Sequence, residues 1–215
     1  MRVRWGLRTI RQSVCAVVLV AALASPFTAR ANDLDFDGTA WARAAGPHGI
    51  DPALLYALTL VESRRTVAPE MIGPWPWVIR TPTGGYWFNS RERAEQGLEA
   101  VLAKWPAKRV DVGIAQVNVG WHGDRFDDPM KLLGLEYNLE VAAGILAAAI
   151  DSTRDTVLGV GRYHHWASEP RSRAYGQRVW WTYRDVTFGE PNPAHRFLLA
   201  TEADLAVVAA ELAGD

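Results

Sequence analysis

Asp51-Pro52-Ala53-Leu54-Leu55-Tyr56-Ala57-Leu58-Thr59-Leu60-Val61-Glu62-Ser63 decides how this chain is read, because it fixes the phase of a helix and sets a carboxylate on that helix's apolar side. Asp51 is placed to cap the helix, with Pro52 at the first helical position. At about 100° per residue, Leu54, Leu58 and Val61 share one side, and Glu62 falls between Leu58 and Leu55. Partial burial without a fixed cation raises a glutamate pKa toward neutrality, as a general acid near pH 7 requires. The plainer reading is a glutamate at a fraying helix end, turned to water or paired with Arg64 or Arg65.

A second stretch, Asp111-Val112-Gly113-Ile114-Ala115-Gln116-Val117-Asn118-Val119-Gly120-Trp121, surrounds two amides with small and apolar residues. Such amides both donate and accept, which suits a sugar hydroxyl or acetamido group. Glu62-Ser63 on a helix followed by Gly113-Ile114-Ala115-Gln116-Val117-Asn118 resembles the Glu-Ser and Gly-Leu-Met-Gln-x-Asn motifs of the soluble lytic transglycosylases, relatives of goose-type lysozyme. The segment from Asn138-Leu139 through Gly144 to Leu146 is similar to that family's next helix. Tyr163, and Tyr175 with Val179, resemble its Ala-Tyr-Asn and Tyr-x-x-x-Val elements in the same order, so the resemblance spans about His48 to Tyr183. Two motifs depart from the pattern, the first with Ile114-Ala115 in place of Leu-Met. Ala115 replaces the methionine, and Arg162-Tyr163-His164 replaces Ala-Tyr-Asn, so a methionine contact and an asparagine contact are not carried over. The long insert between Glu62 and Gln116, with Trp75-Pro76-Trp77 and Tyr86-Trp87-Phe88, is similar to transglycosylases found with conjugation and secretion machinery.

The N-terminus reads as an export signal. Arg2, Arg4, Arg8 and Arg11 precede an apolar run from Val14 to Ala24, then Ala29-Arg30-Ala31, which predicts a secretory signal peptide over 1–31 cut before Asn32. The run is short for a membrane span, leaving an uncleaved anchor as the alternative. The single cysteine, Cys15, lies in the leader, so the exported chain is expected to hold its fold without disulfides. Removing the leader's five arginines leaves 18 basic against 24 acidic residues, a balance of −6. That acidic balance argues against a nucleic-acid partner. No membrane association is expected after cleavage, and the expected location is the periplasm.

The pattern predicts a mainly α (α+β) domain over 32–188, and a C-terminal extension over 189–215 with a helix from Glu202 to Leu212. A short helix is expected over Leu34 to Ala45, ahead of the Glu62 helix. Pro74 to Arg80, a turn at Pro82 to Gly85 and Tyr86 to Phe88 read as an inserted β-hairpin. Asn89 or Ser90 should cap a helix with Ala94, Leu98 and Val101 or Leu102 on one face up to Pro106. Leu139 to Ile150 is apolar almost all round and reads as the central helix. Further helices are expected over Val157 to Trp166 and Arg173 to Thr182. Trp105, Trp180 and Trp181 read as packing residues; Trp75, Trp77 and Trp87 are the better candidates for sugar stacking, although packing of the hairpin accounts for them as well.

The resemblance implies a lysozyme-like fold and a peptidoglycan lytic transglycosylase. Glu62 alone would protonate the bond between MurNAc and GlcNAc, then take a proton from the muramyl 6-hydroxyl as the 1,6-anhydro ring closes. Tyr163 would orient the Glu62 carboxyl, and Ser63, Gln116, Asn118 and Tyr175 would complete the substrate site. Other readings remain for several of these: Asn118 as a turn residue, Ser63 bonded to its own helix, Tyr163 as a core tyrosine. Adjacent His164 and His165 point apart on a helix and lack a carboxylate or cysteine at ligand spacing, so neither a metal nor a cofactor is expected. The implied partners are peptidoglycan strands and components of a secretion or conjugation apparatus. Two other functions fit: a muramidase that admits water, with Asp111 as second carboxylate, and a non-catalytic glycan-binding assembly protein.

Overall fold

A computed structural model describes residues 34–189 and 196–213, so the leader lies outside it. The described chain is an α+β fold, with seven α-helices and two small sheets. None of these helices is long and apolar enough to cross a membrane.

Helix α1, Ala40–Ala45, is shorter than its sequence pattern suggests. Gly38 adopts a positive φ of 69°, and Thr39 accepts from the Ala42 N–H as N-cap, so the chain turns just before the helix begins. Helix α2, Pro52–Ser63, begins where the sequence sets it, with Asp51 Oδ1 accepting from Ala53 N at 2.9 Å. Nearly every side chain of α2 is buried, Glu62 included.

The insert after α2 holds more β structure than one hairpin. Strand β1, Arg64–Ala68, pairs antiparallel with β2, Met71–Pro74, and only then comes the expected hairpin of β3, Val78–Thr81, with β4, Gly84–Trp87. Trp75 and Trp77 face inward between the two hairpins and meet edge to face at 5.5 Å. They are packing residues, which removes them as sugar platforms. Helix α3, Arg91–Lys104, is capped by Ser90 and buries Ala94 and Leu98.

The short strands β5, Asp111–Val112, and β6, Val117–Asn118, extend the second sheet, whose order is β4-β3-β5-β6. Helix α4, Leu135–Asp151, packs against α1 and α5 and buries Leu139, Ala142, Ala143 and Leu146. It begins one turn before the expected Leu139, so that Asn138 lies inside it. The Asn138 side chain is fully buried under the β5–β6 turn. It donates to the carbonyls of Val112 and Leu132 at 2.9 and 2.8 Å, and accepts from Ala115 N at 3.0 Å.

Helix α5, Thr156–Arg162, stops before the histidines, whose backbone N–H groups fold back onto the Gly161 carbonyl. Helix α6, Glu169–Phe188, runs beyond its expected limits at both ends and packs on α5 and α2. Glycines permit that closeness: a Cβ at Gly176 would lie 1.9 Å from the Val157 carbonyl, and one at Gly161 would lie 1.9 Å from that of Ser172. The C-terminal segment joins the fold. Strand β7, Arg196–Phe197, lies parallel to β2, and helix α7, Glu202–Ala213, buries Leu205 and Ala209. Tyr56 of α2 donates its phenol to the Leu198 carbonyl at 2.8 Å.

Candidate active site

Glu62 sits in the last turn of α2 with 3% of its surface exposed. The Tyr175 hydroxyl, from α6, donates to Oε1 at 2.5 Å, and His164 Nδ1 lies 3.6 Å from the same oxygen. Burial pushes the Glu62 pKa up to about 7. The Tyr175 hydrogen bond and the charges of Arg80 and Arg178 pull against that rise, while the Asp111 carboxylate adds to it. Arg80, on β3, also donates to the Glu62 main-chain carbonyl at 3.3 Å, so the cation holds the backbone and leaves the carboxyl unpaired.

Tyr175 stands where Tyr163 was expected, beside the Glu62 carboxyl. Tyr163 donates to the Ala115 carbonyl at 2.8 Å, and it is Tyr175 that orients the carboxyl. Both phenols have raised pKa values, through burial first and the neighbouring Glu62 charge second, so both stay protonated donors. The His164 ring stacks on Tyr175, with centroids 4.8 Å apart. Burial lowers the His164 pKa to about 4, with His165, Arg80 and Arg178 contributing, so the imidazole beside Glu62 is neutral at neutral pH.

Beside this group opens a cleft of about 850 Å³. Asp111, Gln116, Asn118, Tyr163 and His164 line it together with Trp121 and Trp166. Glu62 is not part of the cleft wall. Of the lining residues, His164 comes within 3.6 Å of its carboxyl.

Gln116 holds a left-handed backbone, φ 50°, which a non-glycine residue adopts at a cost of about 1 kcal/mol or more. Its Nε2 donates to the carbonyls of Gly113 and Val78, at 2.8 and 3.3 Å. Its Oε1 is buried and has no hydrogen-bond partner among the described residues. A buried acceptor left open beside a cleft suits an incoming N–H or O–H. Asn118 also borders the cleft, but its side chain is engaged. Oδ1 accepts from the N–H groups of Gly120 and Trp121, and Nδ2 donates to Asp111 Oδ1 at 2.7 Å. It shapes a turn and holds Asp111, a half-buried carboxyl whose pKa burial raises.

Ser63 does not reach the cleft. Fully buried, it donates to the Ile114 carbonyl at 2.6 Å and accepts from Trp75 N at 3.2 Å, tying the end of α2 to the Gln116 turn. Sequence reasoning missed Arg80 and Arg178, whose charges act on Glu62, and the cleft tryptophans. Trp121 and Trp166 are 66% and 60% exposed, with Lys108 4.3 Å over one ring and Arg162 5.7 Å over the other. The only advance signal was their position, Trp121 three residues after Asn118 and Trp166 three after Tyr163. Trp87 is partly exposed on β4 but does not border the cleft.

Comparison of the chain with protein-family models, with curated proteins and with solved structures gives no match.

Proposed function

We propose that this chain is a lysozyme-like peptidoglycan lytic transglycosylase with Glu62 as its single acid and base, acting on the cell wall from the periplasm. The observation that carries this reading is a glutamate buried without a paired cation, its pKa near 7, held by a phenol next to a cleft with two exposed tryptophans. Such a carboxyl is largely protonated below neutrality, yet acidic enough to give up its proton. The order of the Glu-Ser, Gly-x-x-Gln-x-Asn and tyrosine motifs supports the same assignment.

In the proposed reaction, Glu62 gives its proton to the glycosidic oxygen as the bond to muramyl C1 breaks, and the substrate's N-acetyl oxygen stabilises C1. The 6-hydroxyl of the same sugar then attacks C1 and forms the anhydro ring. Its proton returns to Glu62, so the acid is restored and no water is consumed. Gln116 Oε1 is free to accept from a substrate amide or hydroxyl, and Trp121 and Trp166 offer faces for sugar rings. Local wall opening for a secretion or conjugation apparatus is the role that the long insert suggests.

One observation favours a second reading. Asp111 lines the cleft and acts electrostatically on Glu62, as the second carboxylate of a hydrolase would. Mass spectrometry of the fragments released from purified sacculi by wild type and Glu62→Gln separates the two. Anhydro-muramyl ends from wild type alone support the transglycosylase; reducing ends that vanish in Asp111→Asn establish the hydrolase. Release by neither folded protein would leave a glycan-binding role.

A further inference from the structure

The Glu62 carboxyl is 3% exposed, whereas the side chain of His164, 3.6 Å from it, is 37% exposed and lines the cleft. That imidazole is held in three ways. Its backbone N–H donates to the Gly161 carbonyl at 3.2 Å, its ring stacks on Tyr175 with centroids 4.8 Å apart, and the His165 ring meets it edge to face at 4.5 Å. Tyr175 thus fixes both groups, the carboxyl through its hydroxyl and the imidazole through its ring face. Neither ring nitrogen of His164 makes a hydrogen bond with a described residue, so both are open to the carboxyl and to substrate. At 3.6 Å the contact with Glu62 is longer than a hydrogen bond, and catalytic contacts often tighten only when substrate is bound.

A neutral imidazole has one N–H and one bare nitrogen, so it can take a proton at one nitrogen while releasing another from the second. His164 is in that state at neutral pH, because burial keeps its pKa near 4. The transglycosylase pattern has asparagine at this position, and an amide offers a donor and an acceptor but passes no proton between them.

We propose that His164 is a further catalytic residue, a relay that carries the proton between the Glu62 carboxyl and the substrate oxygen. This rests on the reading of the cleft as a transglycosylase site. As the bond from C1 to the glycosidic oxygen breaks, its electron pair stays on that oxygen, which takes the Nε2 proton while Nδ1 takes the proton of Glu62. A carboxylate and the other neutral tautomer result. As the 6-hydroxyl oxygen bonds to C1, its proton passes to Nε2 and the Nδ1 proton returns to Glu62. Glu62 remains the acid and base, and the imidazole ends the cycle as it began.

The test is the rate at which wild type, His164→Phe and His164→Asn release anhydro-muramyl ends from purified sacculi. Phenylalanine keeps a flat ring against Tyr175 without a nitrogen, and asparagine keeps polarity without a relay. Both variants are expected to lose about 10²-fold in kcat with KM nearly unchanged, as removal of a proton-transferring group does. Either one within about threefold of wild type overturns the relay, since stacking or polarity alone would then suffice. His164→Ala with added imidazole gives a second arm that needs no new side chain to fit: recovery of about tenfold or more supports the relay, and no recovery overturns it. Absence of release by wild type removes the transglycosylase reading itself; anhydro ends from wild type and His164→Phe alike remove only the relay.

Discussion

At Glu62 a single proton links catalysis to stability. The acid has to begin protonated, so the rate of fragment release should fall as pH rises through about 7, and a rate flat from about pH 5 to 9 would count against this role. Glu62→Gln should lower the rate by about 10²- to 10⁴-fold, the usual contribution of a general acid. Tyr175→Phe removes a hydrogen bond that holds the Glu62 pKa down, so it should shift the falling limb to higher pH; Tyr163→Phe, whose phenol serves Ala115, should not. Asp111→Asn removes a charge that raises the pKa and should shift the limb the other way. Glu62 was legible in the sequence because its position on a phased helix is a matter of angle. Which tyrosine meets it was not, since both lie about a hundred residues downstream and the choice depends on how α5 and α6 cross.

At the scale of elements, the site depends on close backbone approach. Gly176→Ala would drive a methyl group into the Val157 carbonyl and push α6, with Tyr175, away from α5. A loss of about 1–3 kcal/mol in chemical unfolding is expected, together with reduced activity, since the preceding residue, Tyr175, is the partner of Glu62. Asn138→Leu should cost more, at least about 3 kcal/mol, because it strands one N–H and two carbonyls in the core. The sequence located α2, α3 and the β3–β4 hairpin through caps, periodicity and a Gly-Gly turn. It did not show β1, β2 and β7. Arg64–Ala68 and Met71–Pro74 lack a clear alternation of polar and apolar residues, and β7 comprises two residues that are strand only because β2 lies alongside. Trp121 and Trp166 are not legible for a related reason: tryptophan in sequence reads as core, and Trp181, expected to pack, is likewise 57% exposed in the fold.

For the whole molecule, the buried acid makes stability depend on pH. The folded value of about 7 lies above the 4.5 of a free glutamate, so native protein binds this proton more tightly than the unfolded chain. The associated stability is fully present below pH 4.5 and is lost as pH rises through 7, a difference of about 3 kcal/mol. His164 acts in the opposite sense, with a folded value near 4, and costs stability as pH falls from about 6.5 toward 4. Thermal melts should therefore show Glu62→Gln more stable than wild type at pH 8, with the advantage shrinking toward pH 5.

The clasp between Tyr56 and Leu198 joins residues 142 positions apart. Contacts of such separation form late and slow folding, because the intervening chain has to be ordered first. As the chain is made from its N-terminus, the helix that carries the acid emerges well before the segment around Leu198 that closes over Tyr56. Until Leu198 is made, Tyr56 of that apolar helix lacks this partner, and the time before closure is when proteases and aggregation compete with folding.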